Sequence, residues 1–248
     1  MATSDHEAVL GVIAQKASVP LVLPAAKTAL IVVDLQRAFV QPDGRFPRLM
    51  SVLAPGAADQ YRTNIRTSVV PNAQRLIAEF RGAGLPIAFT GAGTRTGDGK
   101  DLAGWLRGFD DVSRQVIGSP VWPGVDEADW GMDPSVAHRD GEIVVEKTTA
   151  DPFISTDLAE QLRNRGVTTV VVCGLTTDVC VAATARGAAD RDFDTIVAED
   201  ACATLSEQLH RASLDIIGLA FGRVAKTDEV VAALQHQVQL PPMLVPTR

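Results

Sequence analysis

Short, continuously apolar runs recur along this chain, each followed by a segment of helical length, and that alternation leaves few folds open. Ala29-Leu-Ile-Val-Val33 has no polar face, so it reads as a strand covered on both sides, as the strands of parallel sheets are. The segments 86–90, 142–146, 168–173, 195–198 and 223–225 are the further strand candidates. Helices are expected from Pro71 to Arg81 with a stop at Gly82, over 98–108, from a Thr156 cap to near Gly166, and over 178–190, 205–217 and 228–236. Strands alternating with helices of this length predict βαβ units and an α/β fold with a mostly parallel sheet of about six strands.

The remaining stretches lack periodicity. Residues 1–27 are expected to form an N-terminal arm with a short helix at 5–16, ahead of a single domain over 28–248. The segment 41–68 is rich in Pro, Gly, Arg and Asn and reads as a long surface connection, Gly91 to Gly97 reads as flexible, and 118–141 as mostly loop.

Charge and cysteine content narrow the function. A net charge of −7 with no Lys/Arg cluster argues against nucleic acid as a partner. No apolar run reaches the roughly 18 residues needed to span a bilayer, so no membrane is implied. The N-terminus carries Asp5 and Glu7 and has no signal-peptide pattern. Three cysteines, an odd number, fit a reducing compartment better than a disulfide framework, and the expected location is cytoplasmic.

Three of the expected strands end in chemistry. Asp34 follows the first, Lys147 follows 142–146, and Cys180 lies in Gly174-Leu-Thr-Thr-Asp-Val-Cys180, between a strand and a helix. The carboxyl ends of parallel strands converge on one sheet edge, where ligands bind, so an acid, an amine and a thiol distant in sequence are brought to one pocket. A free cysteine is by default a small buried hydrophobe, as Cys173 within its strand and Cys202 in the expected turn after 195–198 are read to be. Cys180 differs, because a helix N-terminus favours the thiolate and presents N–H groups to an oxyanion. Asp34 either caps the following turn or serves as general base to the thiol and then general acid to a leaving amine. Lys147 is either a solvated charge or, between the other two, a cation that holds both in their charged forms.

The chain resembles the isochorismatase-like cysteine hydrolases, whose members include nicotinamidase, N-carbamoylsarcosine amidohydrolase, ureidoacrylate amidohydrolase and biuret hydrolase. Three segments over roughly residues 28–235 carry the resemblance: Val32-Val-Asp-Leu-Gln-Arg-Ala-Phe-Val40, Glu146-Lys-Thr-Thr-Ala-Asp-Pro-Phe-Ile-Ser-Thr-Asp-Leu158, and Val172-Cys-Gly-Leu-Thr-Thr-Asp-Val-Cys-Val-Ala-Ala-Thr-Ala185. The resemblance implies a three-layer α/β/α fold, Asp34, Lys147 and Cys180 as a catalytic triad, and a cis peptide between Leu175 and Thr176. That bond would aim the backbone N–H of Thr176, beside that of Cys180, at a substrate oxyanion. It also implies a small-molecule amide or ureido substrate and a homo-oligomer, dimer or tetramer.

Departures from the family pattern sharpen the expectation. Arg37-Ala38 stands where Asn-Asp commonly precedes the phenylalanine of the first motif, leaving Phe39 as a substrate contact, and Asp151-Pro152 replaces a frequent Ser-Ala. Metal-binding relatives carry histidines after the second strand. The four histidines here are His6, His138, His210 and His236, none between 34 and 137, so no metal and no cofactor is expected. The resemblance therefore implies a metal-independent amidohydrolase working through a Cys180 thioester, with a vinyl-ether hydrolase that does not use the thiol, or a non-catalytic scaffold, as alternatives. Thr177 is expected to face the substrate. Trp105 and Trp122 either wall the pocket or pack elsewhere, Arg95 and Lys100 either bind a substrate carboxylate or are solvated, and Asp200 is expected to cap the turn that follows it.

Overall fold

A computed structural model describes residues 2–238. In chain order the elements are α1 (Ala2–Ser18), β1 (Thr28–Val33), α2 (Arg37–Val40), α3 (Arg45–Leu53), α4 (Pro55–Asn64), α5 (Val70–Gly82), β2 (Ile87–Ala92), α6 (Gly104–Ile117), β3 (Ile143–Lys147), α7 (Pro152–Ser155), α8 (Leu158–Asn164), β4 (Thr169–Leu175), α9 (Ala182–Ala189), β5 (Asp194–Ala203), α10 (Glu207–Ile216), β6 (Arg223–Ala225) and α11 (Thr227–Val238).

The six strands form one sheet in the order β3-β2-β1-β4-β5-β6, and every pairing is parallel. The apolar runs explain the centre of the sheet, since every residue of β1 and of β4 is buried. Crossovers leave β1 in one direction and β4 in the other. With right-handed connections this puts α5 and α11 on one face, and α7 and α9 on the other. The order reverses between β1 and β4, and the crevice at their carboxyl ends is where such a sheet accepts a ligand. Among the described residues no helix is long and apolar enough to cross a membrane.

Three expectations need correction. The segment 41–68 is helical, comprising α3, α4 and a π turn, Ile65–Val69, that runs into α5. Its prolines misled the reading: Pro47 and Pro55 lie in first turns, where a missing N–H is no loss. The π turn comes just before Pro71, which has no N–H to continue a regular ladder. The helix expected over 98–108 instead runs over Gly104–Ile117. Residues 94–101 are held as turns in which Asp101 accepts from the Thr94 hydroxyl and the Arg95 amide, while Gly118, at φ 74°, stops the helix. Cys202 does not lie in a turn. β5 continues past a register shift opposite Cys173 and pairs Cys202 with Gly174.

Two smaller differences have local causes. Gly91 lies within β2, and the glycines at 91 and 93 serve close packing, since a Cβ at either would come within 2.7 Å of the Trp130 ring. Asp200 does not cap the turn after it; its Oδ1 accepts from the amide and hydroxyl of Thr227, at the start of α11. Helix α1 packs along β6 and the π turn Ile217–Phe221, so the arm before β1 lies against the sheet edge.

Candidate active site

Local backbone rules put each of the three groups at the switch point. Asp34 leaves β1 with φ 51°, a left-handed conformation that aspartate tolerates better than most residues, and its N–H bonds the Thr90 carbonyl at 3.0 Å. β4 must come very close to β1 to start the loop that carries Cys180. Gly174 makes this feasible: its φ is 121°, and a Cβ there would lie 2.0 Å from the Val33 carbonyl oxygen. The Leu175–Thr176 peptide is cis, and a π turn, Thr177–Val181, follows and carries Cys180 directly into α9. Lys147 is the last residue of β3, level with Ala92 of β2, and its long side chain reaches across the sheet edge.

The three side chains meet. Lys147 Nζ lies 2.9 Å from Asp34 Oδ2 and 3.2 Å from Cys180 Sγ, and donates its remaining proton to the Thr149 carbonyl at 3.1 Å. All three ammonium protons are thus engaged, as a buried lysine requires. Asp34 Oδ1 accepts from the Thr90 hydroxyl at 2.8 Å. Gln36, fully buried, fixes the turn beyond Asp34 by accepting from the Ala92 amide and donating to the carbonyls of Ala92 and Trp130. The Thr184 hydroxyl donates to the Cys180 carbonyl at 2.6 Å and anchors the other side.

Burial dominates the electrostatics. It pushes the Cys180 thiol up to about 12; the Lys147 charge pulls the other way and Asp34 adds to the rise. The resting thiol is therefore protonated at neutral pH, in contrast to the thiolate that a helix N-terminus and a lysine would favour if solvated. Burial alone would lower the Lys147 ammonium, but Asp34 and Cys180 outweigh it and hold it above its ordinary range, so it stays charged. The arrangement is a neutral thiol beside a carboxylate, with a fixed cation touching both. Such a set can move a proton from sulfur to carboxylate as sulfur attacks, and return it to a leaving group.

A cavity of ≈ 190 Å³ opens onto Asp34, Thr176 and Cys180. Its walls are largely aromatic. Phe39 and Trp122 line it, as do Phe46 of α3 and Phe109 of α6, and Trp105, half exposed, stands at its mouth. Phe39 and Trp122 pack with ring centroids 5.5 Å apart, and Trp122 donates its indole N–H to the Leu106 carbonyl at 3.0 Å. Asp178 and Val179 of the nucleophile loop complete one side.

Not every candidate reaches the cavity. Thr177 is fully buried behind it, with its hydroxyl 2.9 Å from His210 Nδ1, so it faces the protein and not a substrate. Arg95 binds the Glu146 and Ser155 carbonyls, and Lys100 pairs with Asp98 at 2.7 Å; neither lines the cavity. His138 packs its ring beside Phe89, and nothing about the side chains of His6 and His236 falls within the described structure. Among the described residues no group of three or more His, Cys, Asp or Glu side chains stands where it could hold a metal ion. Sequence reasoning assigns no role to Gln36 or Thr90 and misses Phe46, Phe109 and Asp178. Phe46 was legible in principle, because Phe46, Leu49, Met50 and Leu53 repeat at helical spacing.

Comparison with known proteins places the family. The isochorismatase domain model matches residues 28–229, which carry all three strand-end groups. The chain belongs to the isochorismatase family. An uncharacterized isochorismatase family protein of Escherichia coli O157:H7, YecD, is 31% identical over 86% of this chain and 100% of its own length. Ureidoacrylate amidohydrolase RutB of Methylobacterium radiotolerans is 29% identical over 93% of this chain and 87% of its own. Among solved structures, a cysteine hydrolase from Pseudomonas syringae pv. phaseolicola superposes with a TM-score of 0.71 at 27% identity, covering 88% of this chain and 99% of its own. This chain is an isochorismatase-family hydrolase with the family's all-parallel six-stranded sheet.

Proposed function

We propose that the protein is a metal-independent amidohydrolase that cleaves the C–N bond of a small amide or ureido compound through a Cys180 thioester. The observation that carries this reading is the position of Lys147 Nζ, 2.9 Å from Asp34 and 3.2 Å from Cys180. It makes acid, thiol and cation one contiguous unit at the cavity floor.

Asp34 takes the thiol proton as Cys180 Sγ bonds to the substrate carbonyl carbon, so no free thiolate is required of a thiol raised to about 12. The backbone amides of Thr176 and Cys180 hold the oxyanion, a contribution of ~100-fold or more in rate for each donor. As the tetrahedral intermediate collapses, the C–N bond breaks and Asp34 gives the proton to the departing nitrogen, leaving a thioester. Asp34 then takes a proton from water, which adds to the thioester carbonyl; sulfur leaves and is reprotonated. Lys147 stays charged throughout and balances the carboxylate.

Relatives named ureidoacrylate amidohydrolase and N-carbamoylsarcosine amidase support the bond type. Three free, buried cysteines are in keeping with a cytoplasmic setting, and an oligomeric enzyme forms part of the proposal. The test is ammonia release from a panel of small amides and ureido compounds, with and without a chelator. Release unchanged by chelation is expected. Loss of release on chelation, restored by added metal, would refute metal independence, and no release from any member would favour ether hydrolysis or a scaffold.

A further inference from the structure

The cavity above the proposed nucleophile has a lining that the bond type does not dictate. Five aromatic rings, those of Phe39, Phe46, Trp105, Phe109 and Trp122, line a space of ≈ 190 Å³. They brace one another: Trp122 lies 5.5 Å from Phe39, 6.3 Å from Phe109 and 6.3 Å from Trp105, centroid to centroid. Among the described residues that line the cavity none is lysine, arginine or histidine. The nearby cation, Lys147, is fully buried with its donors engaged by Asp34, Cys180 and the Thr149 carbonyl. Asp34 aside, the charged residue in the wall is Asp178.

We propose that this cavity selects a flat, apolar substrate group that carries no carboxylate, with Asp178 disfavouring an anion. The aromatic walls bury a planar hydrocarbon body and place π faces against it. A substrate carboxylate would lose its water, meet Asp178 at short range and find no free cation, which is unfavourable on all three counts. Ureidoacrylate, the anion in one relative's name, fits this cavity poorly. An uncharged aromatic amide or urea fits it well, and an amine-bearing one is tolerated because rings and carboxylate both favour a cation. The proposal rests on Cys180 as the reactive group at the cavity floor, and its test does not require turnover.

The test is the rate of Cys180 alkylation by a matched pair of reagents, N-benzyl iodoacetamide and N-iodoacetylglycine, each normalised to its rate with glutathione. In both, the new bond is carbon to sulfur, iodide leaves, and the thiol proton is lost. Peptide mass mapping separates Cys180 from Cys173 and Cys202. The expected result is a normalised preference of about tenfold or more for the benzyl reagent, the size that one uncompensated short-range charge contact gives. In Asp178→Asn the preference should narrow about threefold or more, because removing that charge lifts part of the repulsion. Equal rates, preference for the anionic reagent, or no reaction of Cys180 with either would overturn the proposal. A preference unmoved by Asp178→Asn would remove Asp178 from it. Ammonia release from phenylacetamide, measured in parallel, tests the hydrolase reading separately: its failure beside an intact benzyl preference would sink the chemistry and leave the cavity's selectivity standing.

Discussion

At the scale of single residues, the site is governed by what a buried lysine demands. Lys147 is wholly enclosed and keeps its charge because Asp34 and Cys180 lie within hydrogen-bond reach. Breaking a buried pair by removing one partner typically costs about 3–5 kcal/mol, since the survivor is left charged and unpaired. Lys147→Met should therefore lower the free energy of unfolding by about that amount and also abolish ammonia release. Urea titration read by intrinsic fluorescence, beside an activity assay, checks it; a stable and active Lys147→Met would remove Lys147 from the proposed mechanism. Asp34, Lys147 and Cys180 were legible in the sequence because each follows an apolar strand, and topology alone brings strand ends together. Thr90 and Gln36 were not. A threonine within β2 carries no signal until the register places it beside Val33 and its hydroxyl against Asp34.

At the scale of elements, the decisive contact is the approach of β4 to β1. Gly174→Ala would drive a methyl group into the Val33 carbonyl and demand a φ of 121° from a residue with a Cβ. We expect a loss of about 3 kcal/mol or more, visible as a drop in Tm, and reduced activity because the Cys180 loop begins at that residue. A Gly174→Ala protein with unchanged melting would show that β4 can be displaced from β1 without cost. Strands and the helices after them were read correctly where periodicity was clean. The errors fell on 41–68, where proline and glycine read as breakers, on the helix expected over 98–108, which lies at Gly104–Ile117, and on Cys202, which lies within β5. In the structure Pro55 opens α4, and the polar residues around 98–101 bond one another ahead of α6. The misplaced helices α3 and α6 supply Phe46, Trp105 and Phe109, so the wall that selects the substrate was the least legible part of the site.

At the scale of the whole molecule, enclosure of polar groups couples folding to pH. Burial raises the thiols of Cys173 and Cys180 from an ordinary 9.0 to about 12, raises Cys202 as well, and the site holds Lys147 above its usual range. Each of these groups binds its proton more tightly folded than unfolded. Their contribution to stability is complete below pH 9 and is lost progressively as pH climbs from 9 toward 12. The urea midpoint should therefore fall steadily across that interval, and less steeply in Cys173→Ala, where one such group is gone. A midpoint flat from pH 9 to 11 would contradict the enclosure described for these groups.

The most direct measurement of the central claim compares ammonia release by the wild-type enzyme and by Cys180→Ala on the same amide, with circular dichroism to verify the fold. If Cys180 attacks the carbonyl, its replacement should reduce kcat/KM by about 10³-fold or more while the fold survives, since the residual rate then rests on binding and oxyanion contacts alone. A folded Cys180→Ala protein that keeps its rate within about threefold of wild type, a difference well under 1 kcal/mol in the barrier, would contradict the thioester route and leave Asp34 as the sole reacting group.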